Sequence, residues 1–143
     1  MDNVFTYITK IKWEKDRIGS LSAPGLPVIE GATPPEFPGG VEGYWSPEHL
    51  FVASANICLM TTFLTIAANS KFEFLEYTSE AEGKLEKVDG KFMISEITLK
   101  PVLKVNSESQ IEKGIRLIEK AEHNCLISNS MKSKIILSPQ VTI

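Results

Sequence analysis

Cys58 and Cys125 are the only cysteines in this sequence of 143 residues, and no C-x-x-C pattern joins them. A thiolate attacks electrophilic oxygen or sulfur, and two thiols brought together by a fold can alternate between a disulfide and a dithiol. The pair can meet only through the fold, as a nucleophile and a resolving thiol would. Free cysteine is also among the most buried residue types, so an inert apolar filler is the ordinary alternative. A zinc site drawn from Cys58, Cys125, His49 and His123 lacks the short ligand spacings such sites use. No metal or cofactor is expected.

A reactive thiol needs a nearby cation or helix N-terminus to favour its thiolate. The chain has two arginines, Arg17 and Arg116. Arg116 stands four positions from Glu112 on an expected helix, where an ordinary solvated ion pair accounts for it. Arg17, in "WEKDRIGS", follows the first expected strand and is the cation left for chemistry; its plain alternative is an exposed loop charge.

These side chains need elements to position them. Asn3 to Trp13 is rich in β-branched and aromatic residues and reads as a strand. From Ser20 to Ser46 prolines and glycines recur, which predicts short extended pieces and a long ordered loop of the kind that often binds or covers a site. In "SPEHLF" Ser46 can cap a helix, Pro47 fits its first position, and Glu48 lies where the helix dipole favours a carboxylate. That helix should run to about Asn69. On it Cys58 shares a face with Ser54, Ala55, Thr61, Thr62 and Thr65, opposite Leu50, Ile57, Leu64 and Ala68. This small, weakly polar seam suits a pocket or a partner better than the deepest core.

Glu73 to Val88 and Lys91 to Val105 read as strands joined by a type I′ turn at Asp89-Gly90. A second helix should start near Ser107 with a capping box to Gln110, place Ile111, Ile115 and Ile118 on one face, and end near Cys125. "SKIILSPQVTI" reads as one closing strand. The order predicts a single α+β domain with largely antiparallel pairing.

With 43% hydrophobic and 23% charged residues, the chain has the mix of one globular domain. A net charge of -3 without a basic stripe argues against nucleic acid or an anionic membrane as partner. The start, "MDNVFTYITK", shows no cationic lead into an apolar run, so a cytoplasmic, reducing location is expected. His49 to Ala68 carries no formal charge and is long enough to span a bilayer. Its asparagine, serine and threonines favour a central helix in a soluble fold instead.

"WSPEHLFVASANIC", then "AEHNCLISNS", with an R-x-G shortly after the first strand, resembles the OsmC/Ohr family of osmotically inducible and organic hydroperoxide resistance proteins. The resemblance runs over nearly the whole chain. It implies antiparallel sheets wrapped around a long central helix in an intertwined homodimer, with two sites at the interface. It implies Cys58 as the peroxidatic thiol, Cys125 as the resolving one, Glu48 as the family glutamate and Arg17 as its arginine. The implied activity is reduction of organic hydroperoxides, with a lipoyl-type or other small dithiol as reductant.

Ten residues of helix put Glu48 and Cys58 about 15 Å apart along the axis, so they cannot touch within one helix. Arg17 and Glu48 acting on a given Cys58 are therefore expected to come at least partly from the partner subunit. Leu126 stands where peroxidase branches usually have proline, and Trp45 where a small polar residue is commoner. These departures leave a non-catalytic dimeric binding module of the same fold as the alternative.

Overall fold

A computed structural model describes residues 3–143. They form two compact units, one up to Leu50 and one from Phe51 to Ile143.

In the first unit, β1 (Lys10–Lys15), β2 (Ile18–Ser22) and β3 (Ile29–Ala32) form an antiparallel sheet in that order. Residues 3–9 fall outside it, so the strand expected from Asn3 begins only at Lys10. Alternating apolar residues make a strand only where a neighbour accepts the ladder, and here Val4, Phe5, Tyr7 and Ile8 stay exposed. The β1–β2 turn is tight: Lys15 pairs with Ile18, Asp16 takes φ 48°, and the Trp13 indole N–H donates to the Asp16 carbonyl at 2.9 Å.

The long helix α1 (Pro47–Asn69) begins and ends as its sequence predicts. Ser46 Oγ accepts the His49 N–H at 3.1 Å, while the Ser46 N–H donates back to His49 Nδ1 at 3.2 Å, so histidine completes a reciprocal cap. At the other end Lys71, with φ 52°, donates to the Ala68 carbonyl and Phe72 to the Ala67 carbonyl. This is a Schellman closure made without glycine. By length and composition α1 would also pass for a membrane span. In the second unit it packs Ala55, Leu59, Phe63 and Ala67 into a core with Ile97, Leu99, Leu103 and Ile118.

Strands β4 (Glu76–Val88) and β5 (Lys91–Lys104) form the expected hairpin, with both turn residues at positive φ, 51° for Asp89 and 80° for Gly90. Along β5, Ile97, Leu99, Pro101 and Leu103 point inward at every second position. The closing segment departs from expectation. It splits into β6 (Lys134–Leu137) and β7 (Gln140–Thr142), both parallel to β5. Pro101 explains the break: it has no N–H, and the ladder passes from Leu99↔Leu137 to Val102↔Gln140 around it.

Helix α2 (Ile111–His123) buries Gly114, Leu117, Ile118 and Ala121. A Cβ on Gly114 would meet Leu103 Cδ2 at 3.1 Å and Val141 Cγ1 at 3.3 Å, so glycine lets α2 lie close to β5 and β7. The expected capping box does not form. Glu108–Gln110 makes a 3-10 turn, and Ser107 Oγ bonds the Gln110 side chain at 3.3 Å instead of a backbone N–H. The fold is thus α+β with antiparallel sheets and a long helix, carrying two parallel additions at one edge of β5.

Candidate active site

The fold brings Cys58 and Cys125 together within the second unit. Both are free thiols, with Cys58 8% exposed and Cys125 sealed. Cys58 lies with the buried residues of α1, at the edge of that face, whereas its polar seam suggested a pocket or a partner rather than the deepest core. The apolar face opposite it is the open one, with Ile57 58% and Leu64 40% exposed. A helix apolar on all sides does not reveal by periodicity which face its own chain will cover.

The seam itself is largely turned back onto the helix. Ser54 donates to the Phe51 carbonyl at 2.6 Å, Thr61 to Cys58 at 3.1 Å and Thr65 to Thr61 at 3.1 Å. Thr62 alone of that seam reaches sulfur, with Oγ1 3.9 Å from Cys58 Sγ.

Cys125 is delivered by the chain leaving α2. Its N–H donates to the Glu122 carbonyl at 3.2 Å and its carbonyl accepts the Asn129 N–H at 3.0 Å, which folds Leu126 and Ile127 back towards α1. Burial works against charge on Cys58. Hydrogen bonds from the Cys125 thiol, the Ile127 N–H, the Thr62 hydroxyl and the Leu126 N–H outweigh it and hold the Cys58 thiol below its ordinary value. Cys125 moves the other way. Burial pushes it up, and so does its bond to Cys58, which loss of the proton would destroy; Ser128 opposes the rise. In this arrangement the Cys125 S–H donates to the Cys58 sulfur.

Three neighbours carry no signal in the sequence. Glu122 is half-buried, and burial raises its carboxyl against a bond from Ser128. Burial pushes the Tyr77 phenol up to about 12, and charge on Cys125 adds to the rise. Ser79 donates to Asn56 Oδ1 at 2.7 Å, and the Tyr77 hydroxyl is buried without a hydrogen-bond partner. Only "CLISNS", with its serines and asparagine just past a helix, hints that the chain turns back at Ser128.

Arg17 and Glu48 lie in the first unit. Arg17 occupies the β1–β2 turn, where its carbonyl accepts the Thr33 N–H at 3.4 Å, and it takes part in no ion pair among the described residues. Glycine at 39 leaves room for its side chain, since a Cβ there would meet Arg17 Nε at 2.8 Å. Arg17 lines a cavity of about 620 Å³ whose other walls include Ile11, Trp13, Leu21, Pro47 and Leu50. Glu48, in the first turn of α1, has a buried Oε1 with no hydrogen-bond partner. Among the described residues no three His, Cys, Asp or Glu side chains gather as a metal-ligand set.

Comparison with known proteins follows the same lines. The family model described as OsmC-like protein matches residues 39–139. An OsmC-like protein of unknown function from Vibrio cholerae has a similar structure, with TM-score 0.85 and 25% identity over 95% of this chain and 99% of that one. An organic hydroperoxide resistance protein from Elizabethkingia anophelis shares the fold, with TM-score 0.76 and 23% identity over 99% of both chains. Among curated sequences, the uncharacterized protein YmaD of Bacillus subtilis (strain 168) is 25% identical over 142 residues, 96% of this chain and 93% of that one.

Proposed function

The chain belongs to the OsmC-like family, and from that premise we propose that it is a thiol-dependent peroxidase that reduces organic hydroperoxides. The observation that carries the reading is the opposed character of the two thiols that meet: Cys58 is lowered and Cys125 raised. In the proposed cycle the Cys58 thiolate attacks the terminal oxygen of the hydroperoxide. The O–O bond breaks, the alkoxide takes a proton and leaves as alcohol, and Cys58 becomes a sulfenic acid. Cys125 displaces the hydroxyl as water and closes a disulfide. A small or lipoyl-type dithiol then restores both thiols by exchange.

Relatives named for organic hydroperoxide resistance support the substrate class. The apolar cavity beside Arg17 suits an alkyl group next to a polar oxygen. Arg17 and Glu48 enter the reading as a guanidinium and the carboxylate that orients it towards the thiolate and the peroxide. At least one of them is proposed to come from a second copy of the chain. The unsatisfied Glu48 oxygen and the exposed Phe5, Tyr7, Trp13 and Ile57 support such a partner.

Treatment with one equivalent of tert-butyl hydroperoxide, followed by mass spectrometry, tests the proposal. A Cys58–Cys125 disulfide is the expected product. Two unmodified thiols after prolonged exposure would remove the peroxidase reading and leave the binding module.

A further inference from the structure

In the resting pair the Cys125 thiol donates to the Cys58 sulfur, a bond that holds Cys58 below its ordinary value and Cys125 above its own. Once Cys58 carries oxygen, that acceptor is gone. Cys125 must nevertheless lose its proton to become a nucleophile, because the thiolate and not the thiol attacks. It is fully buried, so bulk water does not serve as the base.

The groups that remain beside it come from its own turn. Ser128, 7% exposed, faces the Cys125 thiol, and its hydroxyl donates to Glu122 Oε2 at 3.4 Å. Glu122 precedes Cys125 in the last turn of α2, and among the described residues it forms no ion pair. A hydroxyl pointing its one proton at a carboxylate turns its lone pairs to any other neighbour. Here that neighbour is a thiol. We propose that Ser128 and Glu122 form a proton relay that activates Cys125 for disulfide closure, an inference that rests on the peroxidase reading.

The step balances without a further reactant. Cys125 gives its proton to Ser128 Oγ as Ser128 gives its own to Glu122. The Cys125 sulfur then bonds to the Cys58 sulfur, the S–O bond breaks, and the departing hydroxide recovers the proton through solvent to leave as water. Burial keeps the Glu122 carboxyl above its ordinary value, closer to the thiol it serves. Ser128 touches the reacting atom; Glu122 acts through it and is a positioning residue.

The test separates the two chemical steps in Ser128→Ala and Glu122→Gln. After one equivalent of tert-butyl hydroperoxide, the Cys58 sulfenic acid is trapped with dimedone over time while disulfide is counted by mass spectrometry. Disulfide closure should slow relative to Cys58 oxidation by about tenfold or more in both variants. Ser128→Thr, which keeps a hydroxyl, should restore it. A second arm loads Cys58 with thionitrobenzoate as a mixed disulfide and times its release by Cys125. No hydroperoxide takes part, so this arm reads the relay even if the peroxidase reading fails, and the same slowing is expected. Closure at the unaltered rate in both variants, or equal slowing of both steps, would overturn the relay.

Discussion

From Phe51 onward, Leu59, Phe63, Ile97, Leu99 and Ile118 are sealed from solvent and both thiols have partners. Up to Leu50, by contrast, Phe5, Tyr7, Ile11 and Trp13 are 70% to 88% exposed, Arg17 takes part in no ion pair among the described residues, and Glu48 Oε1 is buried without a hydrogen-bond partner. The difference teaches that one unit closes its core and brings its two thiols together from its own elements. The other displays what a partner would use.

Substitutions can break that contrast at its strongest point first. Phe63→Ala removes a fully buried ring stacked on Tyr77 with centroids 5.3 Å apart, and should destabilise the second unit by about 3–5 kcal/mol in urea titrations. Equal stability would mean that the core is not where the free energy lies. Next in size, Arg17→Ala should slow Cys58 oxidation by about a hundredfold, read in stopped-flow assays with an organic hydroperoxide. The same change at Arg116 should matter little, and similar losses at both positions would deny Arg17 its assigned role.

Trp13→Ala tests whether the open surface is an interface. It should weaken self-association by about 2 kcal/mol in sedimentation equilibrium. In the dissociated chain it should alter stability by no more than about 0.5 kcal/mol. The smallest effect concerns the thiols. Cys125→Ala removes an S–H donor from Cys58, so the pH at which Cys58 becomes a thiolate should rise. Alkylation of Cys58 by iodoacetamide would then start at higher pH than in the unaltered protein. The donors left to it would be Thr62 and the backbone N–H groups of Leu126 and Ile127, with the Glu122 carboxyl and Tyr77 phenol beside position 125. An unmoved profile would show that Cys125 does not hold the thiolate.

Much of this was legible in residues that act locally. Ser46-Pro47-Glu48 marks a helix start because capping is decided within one turn, and Asp89-Gly90 marks a hairpin because few residues accept two positive φ angles. What depends on distant partners was not legible. Residues 3–9 have strand composition without a neighbour in the sheet, Pro101 divides a closing strand lying more than 30 residues downstream, and the buried face of α1 is chosen by β4 and β5. The site divides in the same way. Two cysteines announce themselves, whereas Glu122 and Ser128 acquire meaning only after the chain turns back at Asn129.

Strand β5 bears on the order in which the protein comes alive during synthesis. Its first edge is taken by β4, made just before it, and its second by β6 and β7, made after α2 and Cys125. On a ribosome, Cys58 therefore emerges long before Cys125, the thiol that donates to it. Until Lys134–Thr142 pair with β5, one edge of that strand stays open, so the sheet is completed only after both cysteines have been made.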